Sequence, residues 1–402
     1  MKSKPFGILL YRTHAWVGLL SGVFLIVICV SGSVAVFRPE IERAVDWSAY
    51  DFNVVPNGRE PITLERAIAT AQAAYPEARA TVARYPDFGG SWQSHGGGYG
   101  VTLNRGKGKG SLNVVVDPYQ DKVVAEMKSN DVGDFVRQLH VRFFYGSYWG
   151  RWLVGFFGLT LLFSTLSGLL IFTRFNANSW WPKWRWGKGP RIVTADLHKI
   201  VGLGSVAFNI VFGISGAVIG LEGLYRKYVM APERQAITKR DRVKELPPGM
   251  IDRSVVRAKD LIPGSTPASV TLAHANTGMF RVNVEVPVKS LVKEGASYVS
   301  FNATTGEPLS VYDARDASAV GRFYYSMEPL HFGRLGGAMW VKLLWGLMGL
   351  TGGFLSVTGF VIYVLRKRKP KPKPRMVREP PSLSPSTATS AAAPELDLVT
   401  AK

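Results

Sequence analysis

Cysteine is nearly absent from this sequence of 402 residues, in which Cys29 is the only one. A single cysteine cannot form a disulfide within the chain, and it cannot supply the thiolates of an iron–sulfur cluster. A C-x-x-C-H sequence for covalent haem attachment is also missing. Any redox cofactor in this protein must therefore be held without thiolate ligands.

Charged residues are absent from four long stretches, 15–37, 152–173, 200–221 and 343–365. Each stretch is apolar and has 22 or 23 residues, whereas about 20 residues in a helix cross the hydrocarbon core of a bilayer. Such a segment must satisfy its own backbone hydrogen bonds, which a helix does. The sequence therefore predicts a polytopic membrane protein with a bundle of four transmembrane helices.

Acidic residues are absent from three basic stretches beside these helices, 1–13, 174–195 and 366–378, which hold 16 of the 49 Lys and Arg. Basic residues on alternate sides of the membrane follow the positive-inside rule, so the net charge of +20 does not indicate a nucleic-acid partner. Both termini and the 174–195 loop are predicted to be cytoplasmic in a bacterial inner membrane. The first helix is too long for a cleaved signal, and we interpret it as a retained span.

The second half of the sequence repeats the first. His14 is followed by Gly18 and Ser31-Gly32 at the same spacings at which Gly202 and Ser215-Gly216 follow His198. His140 and His331 are likewise followed by matching Gly, Trp, Gly-Leu and Gly residues at offsets of 6, 9, 18 and 28. This pattern predicts two parallel repeats, each made of a helix, an outer domain and a second helix.

Each long connection predicts a small periplasmic α+β domain. A helical opening, "PITLERAIATAQAAYP" or "MIDRSVVRAKDLIPG", precedes strand-like runs such as "LNVVVDP" and "MFRVNVEVP". The predicted segments are a lead and first transmembrane helix (1–38), the first periplasmic domain (39–139), an outer histidine segment with the second helix (140–173), a basic loop (174–196), the third helix (197–221), the second periplasmic domain (222–330), an outer histidine segment with the fourth helix (331–365) and a basic tail that ends in disorder (366–402).

Four of the six histidines stand at matched places in the repeat. His14 and His198 begin helices that run outward, so both are predicted near the cytoplasmic face. His140 and His331 precede helices that run inward, so both are predicted near the outer face. Packing of the repeats about a pseudo-two-fold axis would bring each like pair together, while a membrane thickness would separate His14 from His140.

Two facing imidazoles suit the axial positions of a haem, because a neutral imidazole offers a lone pair to iron. Gly18 and Gly202 lie one turn from their histidines and would leave room for a porphyrin edge. Four nearby basic residues are candidates for contacts with haem propionates: Arg12, Lys199, Arg142 and Arg334. The alternative is that the histidines are ordinary interfacial residues and that the glycines only allow close helix packing.

The remaining motifs indicate little chemistry. His95 and His274 have no repeat partner, and we interpret both as surface or structural residues. The "GKGKG" at 106–110 predicts a flexible hairpin tip, and "WWPKWRW" at 180–186 is typical of an interfacial anchor, although it could hold a redox partner. Neither a nucleotide-binding glycine motif nor a Ser-His-Asp or H-E-x-x-H pattern is found, so the chain is not expected to carry its own nicotinamide or flavin domain.

Three segments resemble helix motifs of the PepSY-associated transmembrane family: "THAWVGLLSGVFLIVICVSG", "LHKIVGLGSVAFNIVFGISG" and "LHFGRLGGAMWVKLLWGLMGLTGGFLSVTGFVIY". The resemblance runs from Arg12 to Lys369, and the outer units look like PepSY domains. It implies an inner-membrane protein of iron uptake, similar to siderophore reductases of the ferrioxamine-reductase type. It also implies two b-type haems, ligated by His14 with His198 and by His140 with His331. Thr13 departs from the leucine that precedes the other three histidines.

The leading hypothesis is therefore a dihaem reductase that spans the lipid bilayer. Electrons would enter near His14 and His198 from quinol or a cytoplasmic flavoprotein, and would leave near His140 and His331 to a ferric siderophore. Reduction would loosen the iron from a hard-oxygen chelator, and no side chain need act as acid, base or nucleophile. The alternative is a non-redox PepSY protein that binds or regulates a periplasmic protease or transporter. A third possibility is an electron carrier for another protein.

Overall fold

A computed structural model of the chain describes residues 4–45, 52, 54–86, 97–106, 110–127, 131–146, 148–175, 181–228, 245–272, 278–287, 296–335 and 338–367. The helices in these residues are α1 (Lys4–Ala35), α2 (Arg38–Val45), α3 (Leu64–Ala74), α4 (Asp131–Arg142), α5 (Tyr148–Phe175), α6 (Pro190–Gly204), α7 (Val206–Tyr228), α8 (Met250–Leu261), α9 (Ala319–Phe332) and α10 (Met339–Lys367). The strands are β1 (Arg79–Arg84), β2 (Tyr99–Asn104), β3 (Ser111–Asp117), β4 (Lys122–Met127), β5 (Thr266–Thr271), β6 (Met279–Glu285), β7 (Ser297–Asn302) and β8 (Pro308–Tyr312).

Four of the described helices, α1, α5, α7 and α10, are long and apolar enough to cross a membrane. Large apolar side chains cover their outer surfaces: Leu20 is 73% exposed, Val23 is 70% exposed and Leu347 is 60% exposed. A continuous apolar exterior of this kind is costly in water and is what lipid-facing helices require. The prediction of a membrane protein with four spans is confirmed at this level.

The third predicted helix, over 197–221, is divided in the structure. It begins at Pro190 in α6, and α7 continues it after a break at Ser205. The Ser205 hydroxyl donates to the carbonyl of Val201 at 2.7 Å, and the Ser205 backbone has φ −104° and ψ 4°. A serine that bonds back to its own helix competes with the backbone ladder and favours such a bend. His198 thus lies on a short helix of its own, ahead of the candidate span.

The bundle is built from contacts between the two halves of the chain. Helix α1 packs along α10, and α5 packs along α7. Small residues allow close approach in both contacts, since a Cβ on Gly220 would lie 2.5 Å from the Cα of Gly155 and a Cβ on Gly352 would lie 2.9 Å from the Sγ of Cys29. Each half therefore supplies one long helix to each contact.

All eight described strands join one antiparallel sheet with the order β4-β3-β2-β1-β5-β6-β7-β8. The sequence predicted two α+β units, and each half does supply one helix followed by four strands. The structure differs because β1 pairs with β5, with Val82 opposite Thr271 and Arg84 opposite Ser269. The two sets of four strands are therefore continuous across the middle of the sheet.

Helices α3 and α8 cover one face of this sheet and share its hydrophobic core. Fully buried side chains from both halves, such as Leu64, Val114 and Phe280, belong to the same core. The helix starts cap each other: the carboxylate of Glu65 accepts from the backbone N–H of Ile251 at 2.9 Å, and Asp252 accepts from the N–H of Glu65 at 3.3 Å. A carboxylate is favourable at a helix N-terminus, where N–H groups lack intrahelical partners.

A single sheet requires both long connections to lie on the same side of the bundle, which we call the sheet end. The first described residues of α1 and the last of α10 meet at the other side, the terminal end, where Arg366 donates to the Tyr11 hydroxyl at 3.0 Å. Histidines 14 and 198 lie towards the terminal end. Histidines 140 and 331 lie on α4 and α9, which connect the sheet to α5 and α10.

Candidate functional site

The structure brings the four matched histidines together in two pairs. The ring centroids of His14 and His198 are 6.5 Å apart, with an angle of 87° between the ring planes. The ring centroids of His140 and His331 are 6.0 Å apart, with an angle of 36°. Each pair joins one histidine from each half of the chain, as pseudo-two-fold packing of the repeats predicts.

A neighbouring helix holds each ring through Nδ1. His14 Nδ1 lies 2.9 Å from the Ser167 hydroxyl on α5, and His198 Nδ1 lies 2.8 Å from the Thr358 hydroxyl on α10. His331 Nδ1 lies 2.9 Å from the Ser215 hydroxyl on α7. His140 Nδ1 lies 2.9 Å from the carbonyl oxygen of Ile28 and 3.4 Å from the Ser31 hydroxyl, both on α1.

These bonds determine which nitrogen carries the proton. The hydroxyls donate their single proton to a carbonyl of their own helix, as Thr358 does to Phe354 at 2.9 Å and Ser215 does to Val211 at 2.6 Å. A hydroxyl whose proton goes to that carbonyl accepts from the imidazole, which favours the tautomer with the proton on Nδ1. The Ile28 carbonyl can only accept, which assigns the same tautomer to His140. In all four rings Nε2 keeps the lone pair that a metal ion would use.

A glycine follows each hydroxyl and lies directly against the same ring. A Cβ at Gly32 would lie 2.6 Å from Cε1 of His140, and one at Gly168 would lie 3.2 Å from Cε1 of His14. The corresponding distances are 3.4 Å from Gly216 to His331 and 3.7 Å from Gly359 to His198. One histidine ring therefore packs against a Ser-Gly or Thr-Gly dipeptide on each long helix. The hydroxyl orients the ring, and the glycine leaves room for it.

A cavity of about 610 Å³ opens between the helices around His14 and His198. This volume falls within the range of about 300–1,000 Å³ that is usual for cofactor sites. Gly18 and Gly202 line it; a Cβ on Gly18 would meet nothing within 4 Å, and a Cβ on Gly202 would meet only a methyl group of Leu355 at 3.6 Å. The two glycines thus border open space beside the histidines, where the sequence predicted room for a ring.

The donor set of each pair fits a haem. A ring nitrogen bonds a metal at about 2.0–2.1 Å, so two imidazoles whose centroids are about 6 Å apart leave room for one metal atom between them. Both observed separations agree with this geometry. No group of three or more His, Cys, Asp or Glu side chains that could hold a metal ion occurs in the described ranges. Two imidazoles supply only two ligands, and a porphyrin supplies the other four.

Basic side chains surround the mouth of the cavity at the terminal end. Arg12 and Lys199, which the sequence suggested as propionate contacts, both line it. Arg191 and Arg366 line it as well, although sequence reasoning did not single them out. All four side chains are exposed, so they can reach the carboxylates of a bound group without the cost of burying a charge.

Arginines also gather near His140 at the sheet end. Desolvation by the surrounding protein lowers the pKa of Arg137, although part of its side chain is exposed, and the neighbouring charges of Arg38 and Arg142 lower it further. The Nε of Arg142 is buried and has no hydrogen-bond partner in the described part of the chain. Arg334 instead lies 3.5 Å from Glu328 and over the ring of Phe332. Of the two outer residues suggested from sequence, Arg142 thus has the donor that a propionate could use.

An ion pair joins the basic loop to the helix that carries His198. Arg185 donates to both carboxylate oxygens of Asp196, at 2.7 and 2.9 Å, and Asp196 is only 2% exposed. Hydrogen bonds from Arg185 hold the pKa of Asp196 below its usual range, although burial opposes them. The exposed tryptophans Trp184 and Trp186 contact each other beside this pair, with centroids 4.4 Å apart and ring planes tilted by 35°.

A family model described as the PepSY-associated TM region matches residues 11–366 of this sequence. The chain belongs to this family. It is also similar to an uncharacterized protein of Pseudomonas aeruginosa, PA4219, with 27% identity over 258 residues. The alignment covers 58% of this chain and 64% of that relative, so slightly less than two thirds of the relative is spanned.

In this PepSY-associated membrane protein, the residues that sequence reasoning missed are the hydroxyls before Gly168 and Gly359. Ser167 and Thr358 differ between the halves, so identity between the repeats does not mark them. Identity does mark the Ser-Gly pairs after His14 and His198, but it does not show that their hydroxyls contact a histidine. The available signal was a hydroxyl residue followed by glycine in every long apolar stretch.

Several predicted features lie outside the described residues of this family member. These are His95, His274, the middle of the "GKGKG" segment at 107–109, and the tail from 368 onward. The strands that flank 107–109, β2 and β3, pair in antiparallel fashion, and Arg105 N–H donates to the carbonyl of Gly110 at 3.2 Å.

Proposed function

We propose that this family member is a transmembrane electron-transfer protein that holds two b-type haems and reduces ferric siderophore at the sheet end. The observation that carries the proposal is the pair of matched imidazole sites, one towards each end of the bundle, with ring centroids 6.5 and 6.0 Å apart. A haem with two histidine ligands supplies one-electron oxidation and reduction. The donors of the electrons would be quinol or a cytoplasmic flavoprotein.

The chain's own residues bind, orient and enclose the cofactors in this proposal. His14 and His198 would hold one haem, and His140 and His331 the other, each through Nε2. The Nδ1–H bond of each ring keeps it in the ligating tautomer and raises its basicity. Gly18 and Gly202 border the space for the inner ring, and basic side chains at the mouth would offset the propionate charges.

The orientation in the membrane follows from charge in the same proposal. Three basic stretches adjoin, in sequence, the helix ends that lie at the terminal end, and the positive-inside rule assigns that end to the cytoplasm. The sheet would then lie in the bacterial periplasm, where ferric siderophores are met. Iron in a hard-oxygen chelate is held less tightly after one-electron reduction, because Fe(II) carries less charge.

The first test is a visible spectrum of the detergent-purified chain, with and without dithionite, together with the haem content per chain. We expect two b-type haems, about one in His140→Ala, about one in His14→Ala, and two in the control His274→Ala. A well-folded preparation from haem-replete cells that contains no haem would overturn the proposal. The non-redox binding function would then be the better account of the fold.

A second test separates a siderophore reductase from a carrier that serves another protein. Proteoliposomes loaded with reductant would receive ferric siderophore outside, and an Fe(II)-specific chromophoric chelator would report the reduced iron. We expect reduction by the wild-type chain and none by His140→Ala. A haem-loaded chain that is oxidised by no siderophore would favour the carrier function.

A further inference from the structure

The sheet has a second face, opposite α3 and α8, that carries polar side chains. Residues alternate between the two faces of a strand, and the core residues Val101, Val270 and Val282 point to the helices. The residues next to them along each strand point to the opposite face, where they align across six strands. The face contains Asn113, Thr102, Arg84, Ser269, Thr271, Asn283, Arg281, Glu285, Tyr298 and Ser300, and we call it the polar sheet face. Ser269, Tyr298 and Ser300 are buried within it, whereas Arg84 and Arg281 are partly exposed.

Arg84 is one of two cations on this face. Its Nη1 donates to the Thr102 hydroxyl at 2.9 Å, and that hydroxyl donates to the amide oxygen of Asn113 at 2.7 Å. Burial lowers the pKa of Arg84. No carboxylate among the described residues bonds to it, and burying an unpaired charge is costly. A negatively charged ligand would relieve that cost.

Arg281 is the second cation. Its Nε donates to the Ser300 hydroxyl at 3.4 Å, and its guanidinium lies 3.9 Å from the centroid of the Tyr298 ring. Between the two arginines, the amide of Asn283 donates to the hydroxyls of Ser269 and Thr271. Arg84 and Arg281 stand two strands apart and are offset by two residues along the strands, which places their backbones about 12 Å from each other.

A chain of tyrosines connects this face with the helix of the outer histidine pair. The rings of Tyr298 and Tyr312 stack with their centroids 5.4 Å apart, and the ring centroids of Tyr312 and Tyr325 are 5.3 Å apart. Tyr325 lies on α9, the helix that carries His331. One edge of the polar sheet face therefore contacts α9, the helix that carries His331, through these tyrosines.

We propose that the polar sheet face binds the ferric chelate, and that this chelate is anionic, with carboxylate or catecholate oxygens. The inference rests on the proposed function, whose substrate class it narrows. Guanidinium N–H groups donate to carboxylate and catecholate oxygens, and the neighbouring hydroxyls and amides supply neutral hydrogen bonds. Neither guanidinium bonds a carboxylate among the described residues, and the two outnumber the one carboxylate of this face, Glu285, so the face would repel a chelate of net positive charge.

The test measures binding rather than reduction, on the full chain in detergent. Equilibrium dialysis with radioactive iron would compare ferric citrate, which is anionic, with ferrioxamine B, which is cationic. We expect ferric citrate to bind at least tenfold more tightly. Arg84→Gln and Arg281→Gln should each weaken its binding about tenfold, because each removes a charged hydrogen-bond donor. Arg84→Lys, which keeps the charge, should retain part of the affinity.

Arg257→Gln is the matched control, because Arg257 is exposed on α8, at the helix-covered side of the sheet. Equal binding of the two chelates would overturn the inference, as would unchanged binding in Arg84→Gln and Arg281→Gln. The haem spectrum of each variant reports separately on the proposed function. A chain without haem that still prefers ferric citrate would support the anion site and overturn electron transfer alone.

Discussion

Each histidine of the two pairs depends on two residues of another helix, a hydroxyl that orients the ring and a glycine that makes room for it. This arrangement gives testable differences between single residues. The hydroxyl substitutions change the orientation of a ring without changing the space around it. The glycine substitutions change the space around the ring and leave the hydroxyl group itself unchanged.

Thr358→Val removes the oxygen that accepts from His198 Nδ1 and keeps the shape of the side chain. Loss of a hydrogen-bond partner behind a metal ligand lowers metal affinity about 10- to 100-fold. We therefore expect the haem held by His14 and His198 to be lost faster to a haem-scavenging protein. Thr173→Val is the control, since among the described residues the Thr173 hydroxyl bonds only to its own helix, at Leu170. Equal rates of haem loss in the two variants would contradict this role.

Alanine in place of Gly32, Gly168, Gly216 or Gly359 should displace the histidine ring beside it. The displacement should be larger where the added Cβ would lie closer to the ring. Gly32→Ala places a Cβ 2.6 Å from His140, closer than a carbon contact allows, and should cost most of the outer haem. Gly168→Ala, Gly216→Ala and Gly359→Ala, at 3.2, 3.4 and 3.7 Å, should have progressively smaller effects. Haem per chain measures the series. A flat series would show that the glycines serve helix packing alone.

At the scale of elements, α3 and α8 stabilise each other through their first turns. Glu65 accepts backbone N–H groups at the start of α8, so Glu65→Ala leaves donors of a second helix without a partner. Loss of a helix cap costs about 1–2 kcal/mol. We expect the sheet to unfold at lower denaturant concentration or to become more sensitive to protease.

Glu60→Ala is the matched control for that substitution, because Glu60 is exposed and precedes α3. The visible spectrum should be unchanged in both variants, since the caps lie in the sheet and the histidines lie in the bundle. Identical unfolding of the two variants would show that the mutual caps add nothing to stability.

The elements were predictable where a local pattern determined them. Runs without charge marked the spanning helices, and alternation marked β3 and β6. Strand β1, "RATVAR", has arginine at both ends and was not recognised, because its pairing with β5 comes from a distant part of the chain. The break at Ser205 is not predictable from the sequence for a similar reason. A serine within an apolar run is compatible with a continuous helix, and only the structure shows that its hydroxyl bonds to the carbonyl of Val201.

At the scale of the whole molecule, the pairing of the histidines followed from the repeat and its topology, without any contact being known. The partners of Nδ1 did not follow, because they lie on helices that are distant in sequence, as Ser167 is from His14. The single sheet could not be derived from the repeat either, since two identical units can stand apart or join. Whether they join depends on whether the edge strand of one unit pairs with the edge strand of the other. That pairing and its register are determined by packing between distant parts of the chain.

Because all the described strands join one sheet, we expect the sheet to lie on one side of the membrane and the basic loop on the other. In a Cys29→Ser background, Ser111→Cys on β3 and Lys188→Cys in the basic loop would each introduce one exposed thiol. A membrane-impermeant maleimide should label Ser111→Cys in spheroplasts and Lys188→Cys only in inverted vesicles, if the terminal end is cytoplasmic. Labelling of both from one side would contradict the topology.

The β1–β5 pairing also sets an order of events during synthesis. Strand β1 emerges early, but its partner follows only after α5, α6 and α7 have been made and inserted. Until then the first half presents an open strand edge, a template on which foreign strands can add. Biogenesis of this protein must therefore protect a half-sheet for the time that the ribosome needs to complete the next two membrane crossings.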